Sequence, residues 1–211
     1  MELLLATRNR NKVVEMQHAL DGTGWQVVML SDIAGAPDVE EDGATFQENA
    51  LKKARSAARV SRLWTLAEDS GLEIDALGGE PGVKSSRYAG EGASDTDRIR
   101  KVLTQLTSVP DERRTARFRC VMCLIDPAGN ENCFEGRCEG RIADSPRGSS
   151  GFGYDPIFIP DVYDKTFAEL GLGVKGNISH RARAMQQVID YLRRTKGIEG
   201  SRDRVSDGRT V

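Results

Sequence analysis

Thr45-Phe46-Gln47-Glu48-Asn49-Ala50-Leu51-Lys52-Lys53-Ala54-Arg55-Ser56-Ala57-Ala58-Arg59, followed closely by Trp64-Thr65-Leu66-Ala67-Glu68-Asp69-Ser70-Gly71, is the stretch whose reading decides the fold class. Thr45 and Glu48 stand at capping-box spacing, so each can satisfy the other's free backbone N–H at a helix start. Phe46, Ala50, Leu51, Ala54, Ala57 and Ala58 then recur at helical spacing on one face, and Lys52, Lys53, Arg55 and Arg59 fill the other. A short apolar strand, Trp64 to Ala67, runs straight into two carboxylates and the turn-forming Ser70-Gly71. A capped amphipathic helix that delivers into a strand ending on charge is the unit of an α/β protein.

The same alternation continues outward. Towards the N-terminus, residues 2–7 read as a strand, 11–20 as a helix with Val13, Met16 and Leu20 on one face, and Trp25 to Leu30 as a second strand. A polar, acidic loop, Pro37-Asp38-Val39-Glu40-Glu41-Asp42-Gly43, leads into the capped helix. Towards the C-terminus come a strand from Leu72 to Ala76, the turn Gly78-Gly79-Glu80-Pro81-Gly82, and a helix opened by Ser94 and Asp97 that runs to about Thr107. Two long strands, about 114–126 and 131–140, flank the turn Asp126-Pro127-Ala128-Gly129-Asn130 and predict an antiparallel hairpin. A glycine-rich stretch, Gly148 to Gly153, precedes Tyr154-Asp155-Pro156 and a strand at Ile157-Phe158-Ile159. The last helix, Ser179 to Arg194, turns Ala182, Met185, Ile189 and Leu192 inward. Beyond Thr195 the apolar period stops, which predicts one domain over residues 1–195 and a flexible polar tail over 196–211. There is no internal repeat.

Bulk properties narrow the function classes. A chain of 211 residues can form one sizeable domain or two lobes on a shared core. A net charge of −2 argues against a nucleic-acid backbone as the main partner. No run approaches the roughly 18 apolar residues of a membrane span. The segment Met1 to Thr7 has no basic leader and reads as a buried strand, so no membrane partner and a cytoplasmic location are expected. Cys120, Cys123, Cys133 and Cys138 include a C-x-x-C spacing, but Cys120 and Cys123 sit in the apolar run Arg117 to Ile125 without a Gly or Pro knuckle. Reduced, partly buried thiols are expected there, not a zinc site.

Four groupings can carry chemistry. Thr7-Arg8-Asn9-Arg10-Asn11-Lys12 joins a strand to a helix, where free N–H groups and the positive end of the helix dipole suit phosphate. It lacks the Walker A pattern, and an ordinary basic turn is the plainer alternative. Glu40-Glu41 and Glu68-Asp69 supply carboxylates. At the C-terminal end of a strand they lie where open α/β sheets place ligands, and a few carboxylates plus substrate phosphates are what Mg²⁺ uses. A solvated acidic loop is the alternative for Glu40 and Glu41. Gly151-Phe152-Gly153-Tyr154-Asp155-Pro156 could stack a purine on an aromatic ring and accept a hydrogen bond at Asp155, or could simply be an apolar turn. Lys175 with Ser179-His180-Arg181 groups donors at the start of the last helix, where a surface histidine is the plainer reading.

Together, in this order, these segments resemble the inosine triphosphate pyrophosphatase family, the non-standard purine NTP pyrophosphatases. The matching motifs are Ala6-Thr7-x-Asn9-x-x-Lys12, Thr45-Phe46-x-Glu48-Asn49-Ala50, Asp69-Ser70-Gly71-Leu72, Leu77-Gly78-Gly79-x-Pro81-Gly82, Gly151 to Pro156 and Ser179-His180-Arg181. They span about residues 2–194.

The resemblance implies an elongated mixed β-sheet with flanking helices, two lobes around a central cleft, and a homodimer. It implies that Thr7, Asn9, Lys12 and Lys53 hold a triphosphate, that Glu40 and Asp69 bind Mg²⁺, and that Asp69 is the general base. Whether Asp69 is base, metal ligand or both, and whether Glu40 or Glu41 is the second ligand, stays open at this level. Ser70 would contact substrate, and Phe152, Gly153, Tyr154, Asp155, Lys175, His180 and Arg181 would form the base pocket. The implied reaction is hydrolysis of ITP, dITP or XTP to the monophosphate and pyrophosphate. Arg8 stands where the family's phosphate loop has glycine, and Leu170-Gly171-Leu172-Gly173-Val174 replaces a more polar segment.

Two rivals have their own signatures. A Maf-like pyrophosphatase for modified pyrimidine triphosphates prefers a Ser-Pro-Arg-Arg type of loop, which this sequence lacks. A nucleotide-binding regulatory module without turnover has no need of metal-binding carboxylates.

Overall fold

The computed structural model describes residues 1–36 and 38–206. Its framework is a six-stranded mixed sheet built from β1 (Glu2–Leu5), β2 (Gln26–Met29), β3 (Trp64–Ile74), β4 (Thr115–Ile125), β5 (Glu131–Ile142) and β6 (Phe158–Pro160), in the order β2-β1-β3-β4-β5-β6. The β2-β1-β3 end is parallel, and the β3-β4-β5-β6 end is antiparallel. Five helices flank it: α1 (Arg10–Leu20), α2 (Phe46–Ser61), α3 (Asp95–Gln105), α4 (Phe167–Ile178) and α5 (His180–Ser206).

The capping box read at Thr45 is present, with Thr45 Oγ1 accepting from Glu48 N at 3.1 Å and Glu48 Oε2 accepting from Thr45 N at 3.2 Å. The buried side chains of α2, among them Phe46, Ala50, Ala54 and Ala57, pack on Leu4, Ala67, Val121 and Ile125 on one face of the sheet. On the other face, Val13, Met16 and Leu20 of α1 and Met185, Val188 and Leu192 of α5 cover Leu3, Leu66, Met122 and Leu124. A second core, with Leu72, Ile74, Phe118, Ile99, Val102, Phe158 and Phe167, fills the lobe made by α3, α4 and the far ends of the long strands. The cleft lies between these two lobes.

Close approach needs glycine at one strand position. A Cβ on Gly136 in β5 would stand 2.0 Å from His180 O and 2.5 Å from Ala184 N, so only glycine lets α5 dock there.

Four differences from the sequence reading have physical causes. The strands read as Trp64–Ala67 and Leu72–Ala76 are one strand, because β4 pairs with β3 without interruption from Thr65↔Ile125 to Ile74↔Ala116. Cross-strand pairing here overrides the local turn preference of Glu68-Asp69-Ser70-Gly71. Helix α4 has no counterpart in the sequence reading, since its glycines obscure the period; it bends at Gly171, where φ is +77°. Helix α5 continues past Arg194 to Ser206, into the stretch read as a tail, whose residues 207–211 lie outside the described residues. Finally, Cys123 and Cys133, directly opposed on β4 and β5, form a disulfide, which corrects the expectation of four reduced thiols. Cys120 and Cys138 are free and buried. Among the described residues, no helix is long and apolar enough to cross a membrane.

Candidate active site

β1 stops at the register pair Leu5↔Leu66, and Ala6 N donates to Leu66 O at 2.8 Å as the last contact. β3 runs on for eight more residues without a β1 partner. The loop after β1 therefore opens beside the exposed flank of Ala67 to Gly71, at the point where the parallel sheet ends. Because successive strand side chains point to opposite faces, the neighbours Glu68 and Asp69 serve two different environments.

Asp69 faces α2. Its Oδ2 accepts from Asn49 Nδ2 at 3.0 Å, and its Oδ1 lies 3.4 Å from Lys53 Nζ. Asn49 is itself fixed, since its Oδ1 accepts from Gly43 N at 2.8 Å. Lys53 Nζ also lies 2.6 Å from Glu41 Oε1, so an ammonium group stands between two carboxylates. Burial pushes the Asp69 carboxyl above its ordinary range, against the pull of Lys53, and the nearby Glu41 charge pushes the same way.

That arrangement fits a divalent cation. Two carboxylates around a position already favourable to positive charge, open to a phosphate pocket, are what Mg²⁺ takes when substrate supplies further oxygens. Among the described residues there is no group of three or more His, Cys, Asp or Glu that could hold a metal without such help. The family resemblance paired Glu40 with Asp69, with Glu41 left open as the alternative. The structure brings Glu41 there instead, tied by Lys53 and by Arg87, whose NH2 donates to Glu41 O at 2.8 Å, while Glu40 is exposed.

Glu68 faces the other way and is fully buried. It lies 2.8 Å from Lys12 Nζ and accepts from Arg181 Nε at 2.8 Å and from Arg181 NH2 at 3.1 Å. Burial alone would raise its pKa, but Arg181 and Lys12 outweigh it and hold the carboxyl well below the usual range. Arg181 also donates to Ser70 Oγ at 3.0 Å and to Glu15 Oε2 at 2.6 Å. Lys175 Nζ lies 2.9 Å from Glu15 Oε1 and 2.6 Å from Asp155 Oδ2. Acidic and basic groups thus alternate from Lys12 through Glu68, Arg181, Glu15 and Lys175 to Asp155, which lets six ionisable groups share one largely buried layer.

Thr7 and Asn9 shape the loop. Asn9 Oδ1 caps α1, accepting from Asn11 N at 3.0 Å and Lys12 N at 3.3 Å, and Thr7 Oγ1 accepts from Asn9 N at 3.2 Å. Both side chains use acceptors for this, so the Asn9 amide N–H₂ and the Thr7 O–H remain available as donors. Arg8 turns outward to Asp38 at 3.0 Å.

The aromatic segment is just as constrained. Asp155 Oδ2 accepts from Phe152 N at 2.9 Å, and Gly151, at φ +80°, leaves room for that carboxylate, which a Cβ would meet at 2.0 Å. Tyr154 OH donates to Ser85 O at 2.9 Å. Phe152 lies under Lys175 Nζ, 4.6 Å from its ring centroid. His180 stacks on Phe118 at 4.6 Å and is buried, with its Nδ1 unpartnered among the described residues. Burial, then the charges of Arg181 and Lys175, hold the His180 imidazole well below its ordinary pKa, so it is neutral.

Two adjoining cavities result. One, of about 300 Å³, is lined by Thr7, Asn9, Lys12, Glu41, Lys53, Asp69 and Ser70. The other, of about 130 Å³, is lined by Phe118, Phe152, Tyr154, Asp155, Lys175, His180 and Arg181, and shares Asn9, Lys12, Ser70 and Ser86 with the first. Apart from Glu40, every residue given a site role through the family resemblance lines one of the two. Glu68, singled out with Asp69 as a candidate carboxylate, lines neither and lies buried between Lys12 and Arg181. Sequence reading missed Glu15 and Asn49; Asn49 stood inside a quoted motif, and only its tertiary partners reveal what it holds.

Comparisons with known proteins bear on the family and the fold. The sequence model of the Ham1 family matches residues 3–191. A dITP/XTP pyrophosphatase of Geobacter sulfurreducens is 50% identical over 90% of this chain and 96% of its own length. A HAM1 protein of Coxiella burnetii superposes with a TM-score of 0.84 at 44% identity, covering 92% of this chain and 99% of that one. The Ham1 protein of Staphylococcus aureus gives a TM-score of 0.82 at 40% identity, covering 92% and 98%. By sequence and by fold, this chain belongs to the Ham1 family.

Proposed function

We propose that this protein hydrolyses non-standard purine nucleoside triphosphates (ITP, dITP and XTP) to the nucleoside monophosphate and pyrophosphate, with Mg²⁺ as cofactor. One observation carries the reading: a donor- and carboxylate-lined cavity and an aromatic, histidine-lined cavity meet at Ser70, beside Asp69. The first suits a triphosphate and the second a purine. The relatives named dITP/XTP pyrophosphatases support the substrate class.

In this reading the start of α1, with Thr7, Asn9 and Lys12, holds the phosphates together with Lys53. Glu41 and Asp69 hold Mg²⁺, which when bound neutralises phosphate charge and orients the chain. Asp69, raised by burial and steadied by Asn49, takes a proton from the attacking water. The water oxygen bonds to the α-phosphorus, the bond from that phosphorus to the bridging oxygen breaks, and pyrophosphate leaves.

Selectivity follows from the base edge. Hypoxanthine and xanthine present an O6 acceptor and an N1–H donor, whereas adenine presents the reverse. Lys175 and neutral His180 can donate to O6, and Asp155 can accept from N1–H. Adenine would leave these groups facing their own kind, which costs orders of magnitude in kcat/KM. Most of the Arg181 donors are already engaged by Glu68, Glu15 and Ser70, so its part is to hold the pocket rather than to read the base.

The test is product analysis on ITP, XTP, ATP, dUTP and methylated pyrimidine triphosphates. Monophosphate and pyrophosphate from ITP and XTP are expected. Turnover of the pyrimidines alone would favour the Maf-like reading, and tight ITP binding without pyrophosphate release would favour a binding module. The family resemblance further supports a homodimer, which sedimentation would show as twice the chain mass. The net charge of −2 supports a small-molecule substrate over nucleic acid.

A further inference from the structure

The aromatic segment Gly151 to Asp155 is held by a residue of α3 that no motif points to. Asp95, the first residue of α3, accepts from Gly153 N through Oδ2 at 2.8 Å, across 58 residues of sequence. Its other oxygen pairs with Arg98 NH2. Arg98 in turn donates to Ser86 O at 2.9 Å and to Ala93 O, anchoring the pair to the segment Gly82–Arg87 that lies against β3. One residue further on, Tyr154 OH donates to Ser85 O. Asp95 and Arg98 both line the smaller cavity. An acid in the first turn of a helix is ordinarily there for the dipole, but that role is already met by Asp97, which closes the capping box with Ser94 at 3.1 Å.

We propose that Asp95, oriented by Arg98, is a positioning residue for base recognition: it fixes the Gly153 N–H and through it the Phe152 ring against which the purine lies. The inference rests on the smaller cavity being the base pocket. Without the Asp95 carboxylate, Gly153 has one N–H to redirect, and the aromatic segment keeps its Tyr154 hydrogen bond to Ser85 O and its core packing but loses its hydrogen bond to α3. Asp69 and Lys53 hydrogen-bond elsewhere, to Asn49, Glu41 and each other, and not to this pair. The loss therefore falls on substrate binding and base choice, not on the chemical step.

Steady-state kinetics on ITP and GTP for Asp95→Ala, Asp95→Asn, Arg98→Gln, Asp97→Ala and Phe152→Ala test it. Asp95→Ala is expected to raise KM for ITP about tenfold, with kcat within about twofold. Asp95→Asn, which keeps an acceptor for Gly153 N, should recover most of that loss. Arg98→Gln should raise KM by a smaller factor, and it decides the matter if Asp95→Ala does not fold. Asp97→Ala should lower the Tm and leave KM unchanged. An unchanged KM in both Asp95→Ala and Arg98→Gln, or an equal rise in Asp97→Ala, would overturn the proposal. Phe152→Ala separates the two levels: if it too leaves KM for ITP unchanged, the base-pocket reading fails; if it raises KM and the Asp95 and Arg98 variants do not, only the positioning role fails.

Discussion

Glu68 and His180 show how single buried groups set the terms of this site. Glu68 has no exposure to water and makes ion pairs with Lys12 and Arg181. Replacing it with glutamine would strip the compensation from two buried cations, and loss of one partner of a buried pair costs about 3–5 kcal/mol. Denaturant unfolding of Glu68→Gln should show a loss of that order, whereas a change below about 1 kcal/mol would mean the network is not coupled to folding. His180 gives a pH signature with a definite sign. Its folded pKa is held well below the ordinary value, first by burial and then by Arg181 and Lys175. Below about pH 6.5 the unfolded chain binds a proton that the folded imidazole refuses, so this group costs stability as pH falls through that value. His180→Gln should flatten the stability profile between about pH 6.5 and 5 relative to the parent, as urea titrations across that range would show. An identical slope in both proteins would mean the imidazole protonates in place.

How much was legible in the sequence depended on whether a signal was local. The α2 helix was, because Thr45 and Glu48 cap it within four residues, and so were the strand-to-helix turn from Thr7 to Lys12 and the positions of Gly151 and Gly153, both at positive φ. The unbroken β3 was not, because Glu68 to Gly71 reads as a turn until β4 pairs with it. That Glu41 rather than Glu40 lies beside Asp69 was equally hidden, since its position depends on Lys53 from α2 and Arg87 from another segment. Elements also meet where only geometry decides. Gly136 in β5 admits the N-terminus of α5, and with it His180 and Arg181. Gly136→Ala should destabilise the fold by about 1–3 kcal/mol through overpacking, and it should also weaken ITP binding by moving His180. Calorimetry paired with KM measurement checks both. A lower Tm with unchanged KM would show that α5 can shift without disturbing the pocket.

For the whole molecule, the two cavities draw on both lobes: α1, α2 and β3 line the larger, and α3, α4 and the start of α5 line the smaller, which the proposed function takes as the phosphate and base sides. A bound nucleotide therefore ties together elements from both hydrophobic cores. Ligand that binds only the folded state at 100 times its Kd adds about 2.7 kcal/mol, so ITP with Mg²⁺ should raise the Tm of an Asp69→Asn protein by several degrees, and ATP should raise it far less. Equal shifts with both nucleotides would move selectivity out of the ground-state complex and into the chemical step.

In the proposed reaction Asp69, next to the Ser70 junction of the two cavities, acts with a divalent cation on a non-standard purine triphosphate. The most direct test of that reaction is pyrophosphate release from ITP, XTP, GTP and ATP, with Mg²⁺ and with EDTA, for the parent protein and Asp69→Asn. Rapid release from ITP and XTP is predicted, abolished by EDTA and reduced at least about 10²–10⁴-fold by Asp69→Asn, the range for loss of a general base. Release that persists undiminished in EDTA or in Asp69→Asn, or equal release from ATP and ITP, would contradict it.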